Sequence, residues 1–379
     1  MSFPEHGRVL FSATLVRGHI AKFHIPYLKW FKEQGWETWV AAKNDYPDGV
    51  CEIPYCDRYV NIDFARSPFS KQTLVAYQQL RELFARERFD IVHTHTPVGG
   101  VLTRLAARDA RKSGTKVIYT AHGFHFYTGA PFANWLLWYP VERVMSWFTD
   151  VLITINEEDY ERARRFARCR VEYVPGVGVD LSRFVGIECG NAKRAELGIG
   201  VDDFVVLAIG DLNGNKNHQV LVEAMAQLPD RTKLIIAGDG PLRRKLKALA
   251  ERLGVSDRVD LLGFRGDIAE LLNACDLFCL PSKREGLPVS LIEALATGTP
   301  VLASGARGCS DVLGELADRF IIRKGNSRIW AEHIAQIASD GCPVRESELT
   351  GRAEAFGVIP AVASVGRIYQ DALSRKVDA

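Results

Sequence analysis

Short apolar runs alternate with longer stretches of helical periodicity along almost the whole chain. Arg8-Val-Leu-Phe-Ser-Ala13 is too short for a helix and reads as a strand. A helix predicted over 20–34 follows, Gly35 caps it, and Glu37-Thr-Trp-Val-Ala-Ala42 is the next strand. The same pattern predicts helices over 71–88 and 99–111, and strands over 89–94, 116–120 and 150–155. An aromatic, mostly apolar helical segment spans 126–148. A second series opens with a strand at 204–210, and further strands are predicted at 233–237, 259–264, 276–280 and 301–303. Helices between them run through Gln227, over 242–253 and from Pro288; others follow over 328–339 and 360–373. Strand, helix, strand in repetition implies parallel sheets, whose binding crevices lie at the carboxyl ends of the strands.

Length turns this into a two-domain picture, because 379 residues exceed what one ordinary core holds. The expected division is 1–185, 186–358 and a C-terminal helix within 359–379, with a linker to about Asp202. A formal net charge of +2 gives no whole-chain argument for nucleic-acid binding. Eight cysteines without paired C-x-x-C spacing read as reduced thiols rather than a disulfide framework or a zinc site. Met1-Ser-Phe-Pro-Glu-His-Gly7 has no basic-then-apolar pattern, so no signal peptide is expected, and no apolar run is long enough for a transmembrane helix.

Candidate chemistry concentrates in Lys283-Arg-Glu285-Gly286-Leu287-Pro288-Val-Ser-Leu-Ile-Glu293. Pro288 suits a helix start, and Gly298 and Pro300 end that helix. Glu285 then lies in the loop and Glu293 in the second turn, leaning back toward the same mouth. Unpaired backbone N–H groups and the positive helix end between them make an anion site flanked by carboxylates. A diphosphate joined to a ribose and a hexose fits it; a plain amphipathic helix with two solvated glutamates is the alternative.

The string resembles the E-x7-E motif of retaining nucleotide-sugar glycosyltransferases of the GT-B fold, and is similar to their family four, the group 1 glycosyltransferases. That fold has two Rossmann-like, doubly wound parallel-sheet domains facing a central cleft, with the last helix crossing back to the first domain. Other signatures occur in order. Thr120-Ala-His122-Gly matches the family's active-site histidine near the donor sugar. Lys216 holds the place of a diphosphate-binding lysine, although an ordinary surface lysine is the alternative. Asp211 replaces the family's usual arginine. Gly238-Asp-Gly-Pro241 is a further match, and Val171–Phe184 resembles the inter-domain hinge. By resemblance Glu285 contacts the donor hexose, Glu293 the ribose, and the backbone at Phe264, Arg265 and Gly266 the base.

The catalytic candidates are therefore His122, Glu285 and Lys216. The donor set is Gly18, Asn213, Lys216, Phe264, Arg265, Gly266, Glu285, Gly286, Leu287, Pro288 and Glu293. Gly18 is open to two readings, a turn or a close approach to phosphate. His19, His24, His95, His125 and Tyr127 are acceptor candidates, with surface or packing roles as the alternative. No Asp-x-Asp pair follows a strand, so no metal and no cofactor are expected beyond the nucleotide-sugar itself. Family frequency implies uridine diphosphate.

The strings around Ala121-His-Gly-Phe-His-Phe126 and Phe148–Tyr160 narrow the resemblance to the exopolysaccharide and capsule branch. That branch implies a polyprenyl-diphosphate-linked sugar as acceptor, and a cytoplasmic protein peripheral to the inner face of the cell membrane. Segment 126–148 is either core or a membrane-interface element. A nucleotide-sugar epimerase or hydrolase of the same fold, and a non-catalytic nucleotide-sugar-binding partner, stand as the rival readings.

Overall fold

In the computed structural model, residues 6–65, 67, 70–186 and 189–374 are described. Positions 187 and 188 of the expected linker, the first residues of the amino-terminal reading and the last five positions lie outside them. The chain divides into two units, Met1–Gly178 with Val358–Ala379, and Val179–Gly357.

The first unit holds seven strands: β1 (Arg8–Leu15), β2 (Glu37–Lys43), β3 (Arg58–Asn61), β4 (Ile91–His95), β5 (Lys116–Ala121), β6 (Val151–Thr154) and β7 (Arg170–Tyr173). Their order is β3-β2-β1-β4-β5-β6-β7, and every neighbouring pair is parallel. Side chains alternate between faces along each strand. Val9, Phe11 and Ala13 enter one core with Tyr27, Phe31 and Tyr369, whereas Leu10 enters another with Leu80, Leu83 and Leu102. β4 and β5 are buried on both faces along their whole length, as expected of central strands in a parallel sheet. The final helix, Val358–Ser374, belongs to this unit: Tyr369 packs on Phe31 with ring centroids 4.8 Å apart.

The second unit holds β8 (Phe204–Ile209), β9 (Thr232–Ala237), β10 (Val259–Gly263), β11 (Leu277–Leu280), β12 (Val301–Ser304) and β13 (Ile321–Ile322). Their order is β10-β9-β8-β11-β12-β13, again parallel throughout. Its two cores likewise lie on opposite faces of the sheet.

Several elements differ from expectation for local reasons. The helix expected over 20–34 is a wide π turn at Val16–Ile20, a short turn at Ala21–Phe23 and a helix at Ile25–Glu33. Pro26 lacks an N–H and is tolerated only in a first turn, so the helix restarts just before it. The aromatic segment is helical only over Phe132–Met145, after Pro131 at its N-cap, and ends in a 3-10 turn at Ser146–Phe148. Edge strands β3 and β7 carry Arg-Tyr-Val-Asn and Arg-Val-Glu-Tyr, too polar to stand out as apolar runs. All eight cysteines are free, and no helix among the described residues is long and apolar enough to cross a membrane.

Candidate active site

The second unit gathers its candidate residues on the loops that leave β8, β9, β10 and β11. Asn213 organises the first loop: its Oδ1 accepts from the N–H groups of Asn215 and Lys216 at 2.9 and 3.0 Å. Asn213 therefore shapes the turn that presents Lys216. This loop is laced to the one after β11. The Lys283 N–H donates to the Asn215 carbonyl at 2.8 Å, and Asn215 Nδ2 donates to the Arg284 carbonyl at 3.0 Å. Across that seam Lys216 Nζ meets Glu285 Oε1 at 2.8 Å, with side-chain exposures of 22% and 12%. A cation and a carboxylate 69 residues apart in sequence thus share one partly buried spot.

Glycines permit this closeness. A Cβ on Gly238 would lie 2.0 Å from the Gly210 carbonyl oxygen, so the Gly238-Asp-Gly signature does more than turn the chain. It lets the loop after β9 press against the loop after β8, where Leu212 N–H donates to the Asp239 carbonyl at 2.9 Å. Asp211, in the place of the family's arginine, is exposed. His218, not foreseen, is buried behind Lys216, and burial followed by the lysine charge lowers its pKa to about 4.

The helix after Glu285 spans Val289–Ala296, with Pro288 as its N-cap rather than inside its first turn. Leu287 packs on the core and anchors the loop. The Arg307 guanidinium Nε donates to the Glu285 carbonyl at 3.1 Å, a contact that sequence spacing did not suggest. Gly286 lies hard against Gly308. Glu293 is half-buried in the second turn; burial raises its pKa to about 6, against the pull of the Arg183 charge. In the loop after β10, Phe264 is 83% exposed. The Arg265 guanidinium is held by Asp267 and Glu196. The arginine head is therefore already engaged within the unit.

In the first unit the end of β4 and the segments after β1 and β5 bring histidines together. His95 Nδ1 and His122 Nε2 are 3.3 Å apart, and the rings of His24 and His95 stack at 3.8 Å. The His19 and His122 rings meet edge-on at 4.6 Å. Burial pushes the pKa of all four below the ordinary histidine value, to about 4 for His122. Next to them Thr96 has φ of 65°, a strained setting for a β-branched residue; its Oγ1 lies 2.7 Å from that of Thr14.

Other candidates fall elsewhere. The Arg17 and Gly18 N–H groups both donate to Asp45, at 2.6 and 3.0 Å, so a carboxylate already occupies the amides of that loop. His125 stacks on Trp138 at 4.8 Å, outside the histidine cluster. Tyr127 closes a turn through its carbonyl, which accepts from the Ala130 N–H. Trp135 packs on Phe126 and beneath Arg162, so Trp135 and Trp138 face the protein. Phe132, Leu136, Leu137, Val144 and Trp147 form the exposed face of that segment. Sequence reasoning also missed the buried pair of Arg104 and Glu142, 3.0 Å apart, which ties this helix to the helix Pro97–Ala106.

Comparison with known proteins agrees with the fold and its loops. Residues 191–353 match the family described as "Glycosyl transferases group 1", and residues 27–183 match "Glycosyltransferase Family 4". The chain is 44% identical over 337 residues to "Putative glycosyltransferase EpsD" of Bacillus subtilis (strain 168), covering 87% of each chain. It is 30% identical over 315 residues to an Escherichia coli enzyme named UDP-Gal:alpha-D-GlcNAc-diphosphoundecaprenol alpha-1,3-galactosyltransferase, covering 78% of this chain and 79% of that one. Its fold is similar to that of Anabaena HepE in complex with UDP and glucose, with a TM-score of 0.78 at 21% identity over 97% of this chain and 100% of the other. With two parallel-sheet Rossmann-like units and these matches over most of its length, the chain is a glycosyltransferase of the GT-B fold and belongs to the group 1 glycosyltransferases of family four.

Proposed function

We propose that the protein moves a hexose or N-acetylhexosamine from a uridine diphosphate sugar to a polyprenyl-diphosphate-linked saccharide, with retention of configuration, in the assembly of a surface polysaccharide. The observation that carries this reading is the 2.8 Å pairing of Lys216 with Glu285 beside the start of helix Val289–Ala296. The lysine and the free N–H groups of the helix start supply positive charge to a leaving diphosphate. Glu285 holds Lys216 in place and offers its carboxylate to the sugar hydroxyls and the charge that develops on the ring. Glu293 takes the ribose hydroxyls, and the backbone of Phe264, Arg265 and Gly266 takes the base. No carboxylate is assigned as a nucleophile, so the acceptor attacks from the donor's own face.

Charge at the diphosphate is met by protein groups, so Mg2+ or Mn2+ is not required there. Omitting both leaves turnover unchanged; a tenfold or greater activation by either overturns this part of the reading. The lipid-linked acceptor is supported by the activity printed in the name of the Escherichia coli relative. The exposed apolar face at Phe132, Leu136, Leu137, Val144 and Trp147 gives the first unit a surface to rest on the inner leaflet.

A donor panel with membrane lipid extract tests the whole reading. A uridine diphosphate sugar should release nucleotide and label the lipid fraction. Glu285→Ala should lose turnover far more than nucleotide affinity, and Glu293→Ala should weaken nucleotide binding. Nucleotide release with free sugar and no labelled lipid would mean hydrolysis instead.

A further inference from the structure

Five histidines converge at the carboxyl ends of β1, β4 and β5, and they are of two kinds. His93 is fully partnered: its Nδ1 lies 2.6 Å from the Tyr369 hydroxyl and its Nε2 2.8 Å from Thr120 Oγ1. It is an ordinary satisfied core histidine. Three of the other four are not satisfied, and the fourth, His122, meets only His95. His19 Nε2, both ring nitrogens of His24 and His95 Nε2 are buried without a hydrogen-bond partner. Each such atom costs roughly 1–3 kcal/mol when nothing completes it.

One nitrogen from each of His19, His24, His95 and His122 can be chosen so that all four lie within 4.8 Å of one another. No carboxylate among the described residues bonds to any of them, so the cluster is basic without an acid. A neutral imidazole offers one ring nitrogen with a lone pair to a ligand. A cavity of about 20 Å3 lies beside His24, His95 and His122, room for a single atom. Tetrahedral coordination with bonds of ~2.1 Å places ligand nitrogens ~3.4 Å apart. The His95–His122 pair already has that spacing, at 3.3 Å.

We propose that His19, His24, His95 and His122 bind one divalent transition-metal ion, zinc first among them. Four imidazoles without thiolates or carboxylates suit zinc, copper or nickel and disfavour magnesium and calcium. The ion ties the Val16–Phe23 turns to the ends of β4 and β5, and it holds the His122 ring in a fixed orientation. His122 is shared with the candidate catalytic set, whereas the Lys216–Glu285 pair that carries the donor reading lies in the other unit and calls for no ion.

The test uses the full chain without a polyhistidine tag, stripped by chelator and titrated with Co2+ in the absence of nucleotide. The expected result is the visible absorption of four-coordinate cobalt, saturating at one ion per chain and displaced by Zn2+. His19→Ala, His24→Ala, His95→Ala and His122→Ala should each weaken binding roughly 100-fold, the share of one ligand among four. His333→Ala, on a helix of the other unit, should change nothing. His19 is half-buried, so its variant keeps the test usable if a deeper one fails to fold. A folded wild-type chain without the cobalt signal, or variants that bind as tightly as wild type, overturns the proposal. Nucleotide affinity measured in parallel reports on the donor site alone.

Discussion

Replacing Gly308 by alanine would set a methyl carbon 2.2 Å from the Gly286 carbonyl oxygen and 2.8 Å from its carbon. Real Cβ atoms keep at least 3.0 Å from such neighbours, so the contact must open by about 0.8 Å. Gly308 has no left-handed backbone angle, and the second position of helix Arg307–Leu313 would accept alanine. The strain is therefore purely one of space. Overpacking of this kind costs about 1–3 kcal/mol, which lowers Tm by roughly 2–12 °C for a unit of this size. The functional cost is larger, because the atoms displaced belong to the loop between Glu285 and the helix start. A misplacement near 1 Å costs about 100-fold in rate. Steady-state turnover of a uridine diphosphate sugar, beside thermal melting, measures both. Gly351→Ala is the control: it lies inside helix Glu346–Glu354 with open space around it, and should stabilise by about 0.5–1 kcal/mol with turnover unchanged. A folded Gly308→Ala protein with wild-type turnover would refute the idea that this loop's position sets the rate.

The remaining predictions concern charge and surface. Arg104 and Glu142 are 1% and 5% exposed, so Glu142→Ala strands a buried cation and should destabilise by about 3–5 kcal/mol in urea unfolding; an Arg104→Met, Glu142→Leu double variant should lose less than either single. The Glu293 pKa is raised from 4.5 to about 6, so its contribution to stability is present below about pH 4.5 and fades as pH rises through 6. Nucleotide affinity runs the other way, because the carboxylate must be ionised to accept from a diol: calorimetric affinity should rise through about pH 6, and Glu293→Gln should flatten the profile. Changing Phe132, Leu136 and Trp147 to serine should abolish flotation with anionic vesicles and leave melting unchanged, whereas undiminished flotation would remove that face from the account.

Much of this was legible in the chain. Continuous apolar strands separated by helices announced parallel sheets, and Glu285, Glu293, Lys216 and His122 stood in recognisable strings. What escaped was contact between distant segments. Nothing in the spacing of His19, His24, His95 and His122 announces that three segments converge on one point. Arg104 and Glu142 sit in helices where charged residues read as solvent-facing, and only the fold shows them buried against Tyr119. Segment 126–148 stayed open between core and membrane interface because aromaticity is visible in sequence and orientation is not; Trp135 and Trp138 turn out to face the protein. Asp45 could not be linked to Gly18 until β2 and its following loop lay beside β1.

The central claim is that one helix start, with Lys216 and two glutamates, grips a sugar nucleotide. A crystal structure with a non-transferable uridine diphosphate sugar tests it most directly. The account predicts the diphosphate against Lys216 and the first N–H groups of Val289–Ala296, ribose hydroxyls hydrogen-bonded to Glu293, and the hexose at Glu285. A nucleotide bound elsewhere, or bound there with the Glu285 and Glu293 carboxylates touching neither sugar, would contradict it.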